Sequence, residues 1–219
     1  MRVFSTLLLL ILVTGLAFGQ NEQSPITEKP FAYKDWTYRN LRGGGETNLR
    51  DFAKGKKLVL VVYWAPWCPN WKHDVAFVQQ LHEKYKAAGL GVIGVGEYDS
   101  TGKMKDFVEK YQVSFPSVVE SDNTGARLTT VHYAHRTAAG DTRKWGSPWY
   151  VFLDPAEFLP GAELTRTSTV VNGELIRPEA ESFIRAKLGL GGAGLAVSRG
   201  PVTTEVCEPE KKTASLVKP

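Results

Sequence analysis

The feature that most constrains this chain is a seven-residue apolar run, Leu58-Val-Leu-Val-Val-Tyr-Trp64, which ends in Ala65-Pro66-Trp67-Cys68-Pro69. β-Branched and aromatic residues without polar alternation fit a strand buried on both faces. From Pro69 the period changes: Val75, Val78, Leu81 and Tyr85 recur at spacings of three and four, the mark of an amphipathic helix, and Gly89 supplies a stop. A buried strand, a short aromatic turn and a helix follow one another within a few residues, so Cys68 stands at a helix N-terminus.

The same reading extends along the chain. Leu90–Gly96 repeats the buried-strand pattern, residues 101–111 carry Met104, Phe107, Val108 and Tyr111 on one helical side, and residues 113–119 and Trp149–Leu153 read as further strands. Ser168–Val171, Asn172-Gly173 and residues 174–176 carry a hairpin signal, and Pro178 opens a last helix closed by Gly189. Alternating strands and helices predict an α/β fold, a central mixed β-sheet flanked by helices. Residues 121–147 are polar and poorly periodic, and are expected to form a surface insertion. No internal repeat is present.

Residues 1–19 read as a signal peptide: Met1-Arg2, an apolar stretch over residues 3–16, then Ala17-Phe18-Gly19 with small residues flanking a cleavage site before Gln20. The stretch is short for a membrane span, which takes about 20 residues, so membrane attachment is expected only if the leader stays uncleaved. Residues 20–30 read as a linker, 31–189 as the folded domain, and 190–219, rich in Gly, Pro, Lys and Glu, as a flexible tail. Export places the protein in a periplasmic or extracellular space where cysteines pair. The chain has two cysteines, Cys68 and Cys207, too few for a disulfide framework or a cysteine zinc site. Its net charge of +4 comes without a basic stripe, which argues against nucleic-acid binding. His132-x-x-His135 supplies two ligands in a polar stretch, too few to define a metal site, and no cofactor is expected.

The unpaired N–H groups and positive dipole end of a helix N-terminus favour a thiolate on Cys68, the species that attacks disulfides. A small buried hydrophobe is the competing reading; the flanking Trp and Pro residues favour the reactive thiol.

Trp64-Ala-Pro-Trp-Cys-Pro resembles the W-A-x-W-C-P-x-C site of the TlpA/ResA-like thioredoxins, within the redoxin/AhpC-TSA superfamily. Gly55-Lys56-Lys57-Leu-Val-Leu is similar to that family's G-K-x-V-x-L strand entry, and Tyr111-Gln-Val-Ser-Phe-Pro116 to its Y-x-V-x-F-P strand. Gly146-Ser-Pro148-Trp-Tyr-Val-Phe-Leu-Asp154 is similar to the strand that carries the fold's cis-proline. The resemblance implies a thioredoxin-like fold, exchange with protein or small-molecule thiols and disulfides through Cys68, and a cis bond that brings Ser147 and Pro148 to the thiol, with Pro116 as the rival proline. Trp67, Trp71 and Trp149 are then expected to line a substrate groove.

Three positions depart from the family pattern. Trp71 replaces the second cysteine. Val62 stands where thioredoxins carry a buried polar group. Asp74 replaces a Glu; it and Lys72 are expected either to tune Cys68 or to serve as ordinary first-turn charges. Release of a mixed disulfide then falls to a small thiol, a partner protein or Cys207. Two alternatives remain: a redox-inactive peptide-binding module, and a peroxiredoxin-like peroxidase. The second is disfavoured because Val61 and Ala65 occupy the Pro and Thr positions of the peroxidatic pattern.

Overall fold

The computed structural model describes residues 22–191 and residue 209. The leader, the linker's first two residues and the tail cysteine Cys207 lie outside the described residues. In chain order the elements are β1 Gln23–Ser24, β2 Thr27–Lys29, β3 Tyr33–Lys34, β4 Thr37–Asn40, β5 Glu46–Asn48, α1 Leu49–Ala53, β6 Leu58–Trp64, α2 Pro69–Tyr85, β7 Leu90–Gly96, α3 Thr101–Lys110, β8 Ser117–Val119, α4 Val131–Ala138, β9 Trp149–Leu153, β10 Glu163–Thr165, β11 Ser168–Val171, β12 Glu174–Leu175 and α5 Arg177–Lys187.

The main sheet has eight strands in the order β2-β11-β9-β6-β7-β8-β4-β5. β6 is central, parallel to β7 and antiparallel to β9, and all seven of its residues are buried. Its side chains alternate between two cores. Leu58, Leu60, Val62 and Trp64 join the layer that holds α2, α3 and α5, and Val59, Val61 and Tyr63 join the layer that holds α1. This double burial is what the unbroken apolar run encodes.

Two sequence expectations are corrected here. The region read as a linker forms β1 and β2, and β2 is the edge strand of the main sheet beside β11. The expected hairpin does not form: β11 pairs with β2 and β9, whereas β12 pairs in parallel with β1. The reason is close approach. A Cβ at Gly173 would collide with the Glu22 carbonyl, and Glu174 N–H donates to that carbonyl at 2.8 Å, so the turn is filled by the N-terminal segment.

Residues 121–147 are also not a surface loop. They contain α4, whose His132, His135 and Arg136 are buried. Polar residues can enter a core when each finds a partner. His132 stacks on Tyr63 at 4.5 Å and its Nδ1 lies 2.9 Å from the Tyr98 hydroxyl. His135 packs on Tyr33, and its Nε2 accepts the Lys34 N–H at 3.2 Å. The two histidines are therefore engaged with separate partners.

Candidate thiol site

Cys68 is the N-cap residue of α2, with Pro69 at the first helical position, where a missing N–H breaks no helical bond. The turn is closed by Cys68 N–H to the Ala65 carbonyl and Lys72 N–H to the Cys68 carbonyl, both 3.1 Å. Cys68 is buried, and its Sγ lies 3.1 Å from the Ser147 carbonyl oxygen. Ala65 N–H donates to Ser147 Oγ at 3.0 Å, so the same serine fixes the turn and faces the sulfur. The Ser147–Pro148 bond is the one cis peptide among the described residues, whereas Pro116 immediately precedes β8, its carbonyl bonded to Gly94 N–H. When the sulfur is a thiol, the Ser147 carbonyl can accept its S–H; when it is a thiolate, the N-terminus of α2 stabilises the charge. Cys68 is disulfide-bonded in this structure.

The expected tryptophan groove is not formed as a set. Trp71 and Trp149 are 1% and 0% exposed. Trp71, one turn into α2, faces the sheet and packs on Trp64 and Phe107, while Trp149 packs on Tyr63 and Phe31 in the other layer. Only Trp67 of the three reaches the surface; its Nε1 donates to the Tyr98 carbonyl at 3.3 Å and its ring meets Trp145 edge-on. Lys72 is exposed and shares a shallow cleft with Trp67, Asp99, Lys103 and Tyr111.

Asp74 is not a first-turn surface charge. It is fully buried, and its Oδ2 accepts the Tyr150 hydroxyl at 2.7 Å and Leu175 N–H at 2.8 Å, tying α2 to β9 and β12. Burial raises its pKa against the lowering effect of those two bonds. Tyr150 is the cross-strand partner of Val62. A buried acid therefore reaches the neighbourhood of Val62 from the helix, bonded to the side chain next door.

The loop that carries Ser147 is held by residues the sequence did not single out. Arg136 is 1% exposed, and its guanidinium donates to the carbonyls of Arg143 at 2.6 Å and Lys144 at 3.1 Å. Gly146 has φ +59°, and a Cβ there would run into the Arg136 side chain. Arg143 pairs with Asp141 at 2.7 Å and Glu22 at 2.9 Å and donates to the Pro148 carbonyl at 2.9 Å. The sequence signal was the triplet Arg136, Asp141, Arg143 in a stretch otherwise read as solvated. Arg136→Met is expected to lower stability by about 3 kcal/mol, because it strips the buried carbonyls of Arg143 and Lys144 of their donor. Urea unfolding checks this; a loss below about 1 kcal/mol would show that the loop holds itself.

A second buried carboxyl lies at the same end of the sheet. Glu97 follows β7, is 0% exposed, and has both oxygens without a hydrogen-bond partner among the described residues. Burial first, then the charge of Glu120, holds its pKa well above the usual carboxylate range. Glu120 instead accepts the N–H groups of Val131 and His132 at the start of α4.

A cysteine at the N-cap of the helix that follows a central strand, facing the carbonyl before a cis-proline, defines a thioredoxin-fold protein. The AhpC/TSA family profile matches residues 31–152, and the chain belongs to that family. It is 30% identical over 77 residues to the thiol-disulfide oxidoreductase ResA of Bacillus thuringiensis subsp. konkukian, a match covering 35% of this chain and 43% of that protein. With the ResA of Oceanobacillus iheyensis it is 28% identical over 130 residues, 56% of this chain and 66% of that protein. The chain thus spans less than half the length of the first of these relatives. Among solved structures, a thioredoxin-family thiol:disulfide interchange protein from Chlorobium tepidum superposes with TM-score 0.55 at 15% identity, over 74% of this chain and 98% of that one. A secreted thiol-disulfide isomerase from Corynebacterium glutamicum superposes with TM-score 0.54 at 20% identity, over 71% and 84%. Both show the fold. No helix among the described residues is long and apolar enough to cross a membrane.

Proposed function

We propose that this protein is an exported thiol-disulfide oxidoreductase that reacts through Cys68 and is released by Cys207. The Cys68 thiolate attacks a substrate disulfide, forms a mixed disulfide and expels one substrate thiolate, which takes up a proton. The Cys207 thiolate then attacks the Cys68 sulfur, freeing the second substrate thiolate and leaving a Cys68–Cys207 disulfide. The substrate gains two electrons and the protein loses them; an external dithiol resets it, and the reverse sequence oxidises a substrate dithiol. The observation that carries this reading is the Cys68 sulfur at the N-cap of α2, 3.1 Å from the Ser147 carbonyl that precedes the cis-proline.

Trp71 excludes release from within the turn, which leaves the task to a sulfur from elsewhere. The Ser147 carbonyl beside Sγ supports a substrate chain lying along the loop that ends in Pro148, with Trp67 at its edge. Protein or small-molecule disulfides fit this arrangement. A peroxidase reading is weaker, because Val61 and Ala65 are buried and apolar and hold no hydroxyl toward a peroxide. The pure binding module loses support with the burial of Trp71 and Trp149.

Alkylation followed by mass spectrometry tests the proposal. The oxidised wild type is expected to resist alkylation at both cysteines. Cys207→Ser is expected to accumulate a mixed disulfide at Cys68 when given a substrate disulfide, and Cys68→Ser to accumulate none. Equal turnover of Cys207→Ser and wild type would assign release to another thiol. N-terminal sequencing of the exported protein is expected to begin at Gln20.

A further inference from the structure

We propose that His73, Asp74 and Glu174 form a binding site for a divalent first-row transition-metal ion. Their ligand atoms all lie within 4.8 Å of one another. His73 Nδ1 is 3.1 Å from Glu174 Oε2 and 3.7 Å from Asp74 Oδ1. Around a tetrahedral ion with metal–ligand distances of about 2.0–2.2 Å, ligand atoms stand about 3.4 Å apart, so small side-chain shifts bring these three onto one ion. One imidazole and two carboxylates make a borderline donor set, suited to Zn²⁺, Co²⁺ or Mn²⁺.

The second observation is the state of Asp74. Its side chain is 0% exposed, its Oδ2 is fixed by Tyr150 and Leu175, and its Oδ1, which faces His73, accepts no hydrogen bond. A carboxylate oriented through one oxygen by outer partners, with the other turned to an imidazole, is the arrangement such partners impose on a metal ligand. Glu174 is equally buried, at 1%. His73 is 42% exposed, which leaves a path for the ion and an outward coordination position for water.

The ligands come from adjacent positions on α2 and from β12, the two elements that Asp74 already joins. The ion therefore clamps the helix that begins at Cys68 to the C-terminal edge of the domain. The inference is independent of the exchange chemistry proposed above.

The test uses the full mature chain in its oxidised form, with Zn²⁺ followed by calorimetry and Co²⁺ by visible absorption. One ion per chain is expected, with tetrahedral or five-coordinate d–d bands, no thiolate charge-transfer band, and a higher melting temperature with Zn²⁺. His73→Ala, at an exposed position, and Glu174→Gln are each expected to weaken Co²⁺ binding by more than about tenfold. Absence of binding at up to about millimolar ion, or binding that His73→Ala leaves unchanged, overturns the proposal and leaves a histidine–carboxylate contact only. A thiolate charge-transfer band would move the ion to a cysteine and overturn it as well.

Discussion

Replacing Trp71 by cysteine, the change that restores C-x-x-C spacing, is expected to lower folding stability by about 3–5 kcal/mol. Trp71 is 1% exposed and packs on Trp64 and Phe107, and its neighbours Val75 and Val78 are fixed on the same helix. Removing an indole there leaves a cavity that a strand and two helices cannot close. Trp71→Phe keeps an aromatic contact with Phe107 and is expected to lose less. Urea unfolding of the three proteins under oxidising conditions gives the comparison; equal midpoints would mean that the packing around Trp71 can collapse. The new sulfur would also stand at disulfide distance along the helix from Cys68. Below the melting range, Trp71→Cys is therefore expected to gain insulin-reducing activity. No gain would count against a turn geometry competent for exchange. Trp71 thus replaces a reactive group with a structural one, and reversing the exchange carries a penalty that a surface position would not.

Stability is expected to peak near pH 6 and fall on both sides. On the acid side, burial, aided by the Lys34 charge, depresses His135 from 6.5 to about 4. The folded state keeps it neutral while the unfolded chain takes up a proton below pH 6.5. Its contribution is complete above pH 6.5 and is lost as the pH falls to about 4, amounting to about 3 kcal/mol. His132 is depressed in the same direction by burial and by Arg136. On the alkaline side Glu97 acts with the opposite sign. Its folded-state pKa is raised, so the folded protein holds a proton that the unfolded chain releases above about pH 4.5. That loss grows by up to about 1.4 kcal/mol per pH unit. The histidines oppose it below pH 6.5; Asp74, whose pKa burial also raises, acts in the same direction as Glu97. Equilibrium unfolding from pH 4 to 9 measures the profile. Glu97→Gln is expected to flatten the alkaline limb, and His135→Gln the acid limb. A wild-type profile that stays level above pH 7 would remove Glu97 from this role.

The parts of the fold that the sequence announced are those whose burial is apolar. β6, β7 and β9 carry unbroken runs of Val, Leu, Ile and aromatics, and α2 carries a regular three–four spacing, so each element could be read without its neighbours. The turn at Cys68 was legible for the same reason, being bracketed by two such elements. What was missed is buried through polar partners. α4 turns His132, His135 and Arg136 inward, a pattern indistinguishable from a solvated helix until Tyr63, Tyr33 and the loop carbonyls are placed beside them. β1, β2 and β12 are two or three residues long and owe their pairing to segments far away in sequence. Asp74 read either as a tuning group for Cys68 or as a first-turn charge, because its partners, Tyr150 and Leu175, lie many positions downstream. Val62 leaves no acid on the strand, and the buried acid nearby is Asp74 of the helix, bonded to Tyr150 beside Val62.

The Glu22–Arg143–Pro148 chain of contacts has a practical consequence for where this domain begins. Family resemblance starts at residue 31, yet the side chain that completes the anchor of the sulfur-facing loop sits at residue 22, two places after the expected leader cut. β1 and β2 fall in the same stretch, and Leu175, which holds Asp74, falls after residue 152, where the resemblance ends. A polypeptide trimmed to the recognisable region would keep Cys68 and Ser147 and lose several of the contacts that hold them in register. The contacts that hold the turn and its facing loop thus reach beyond both ends of the matched region.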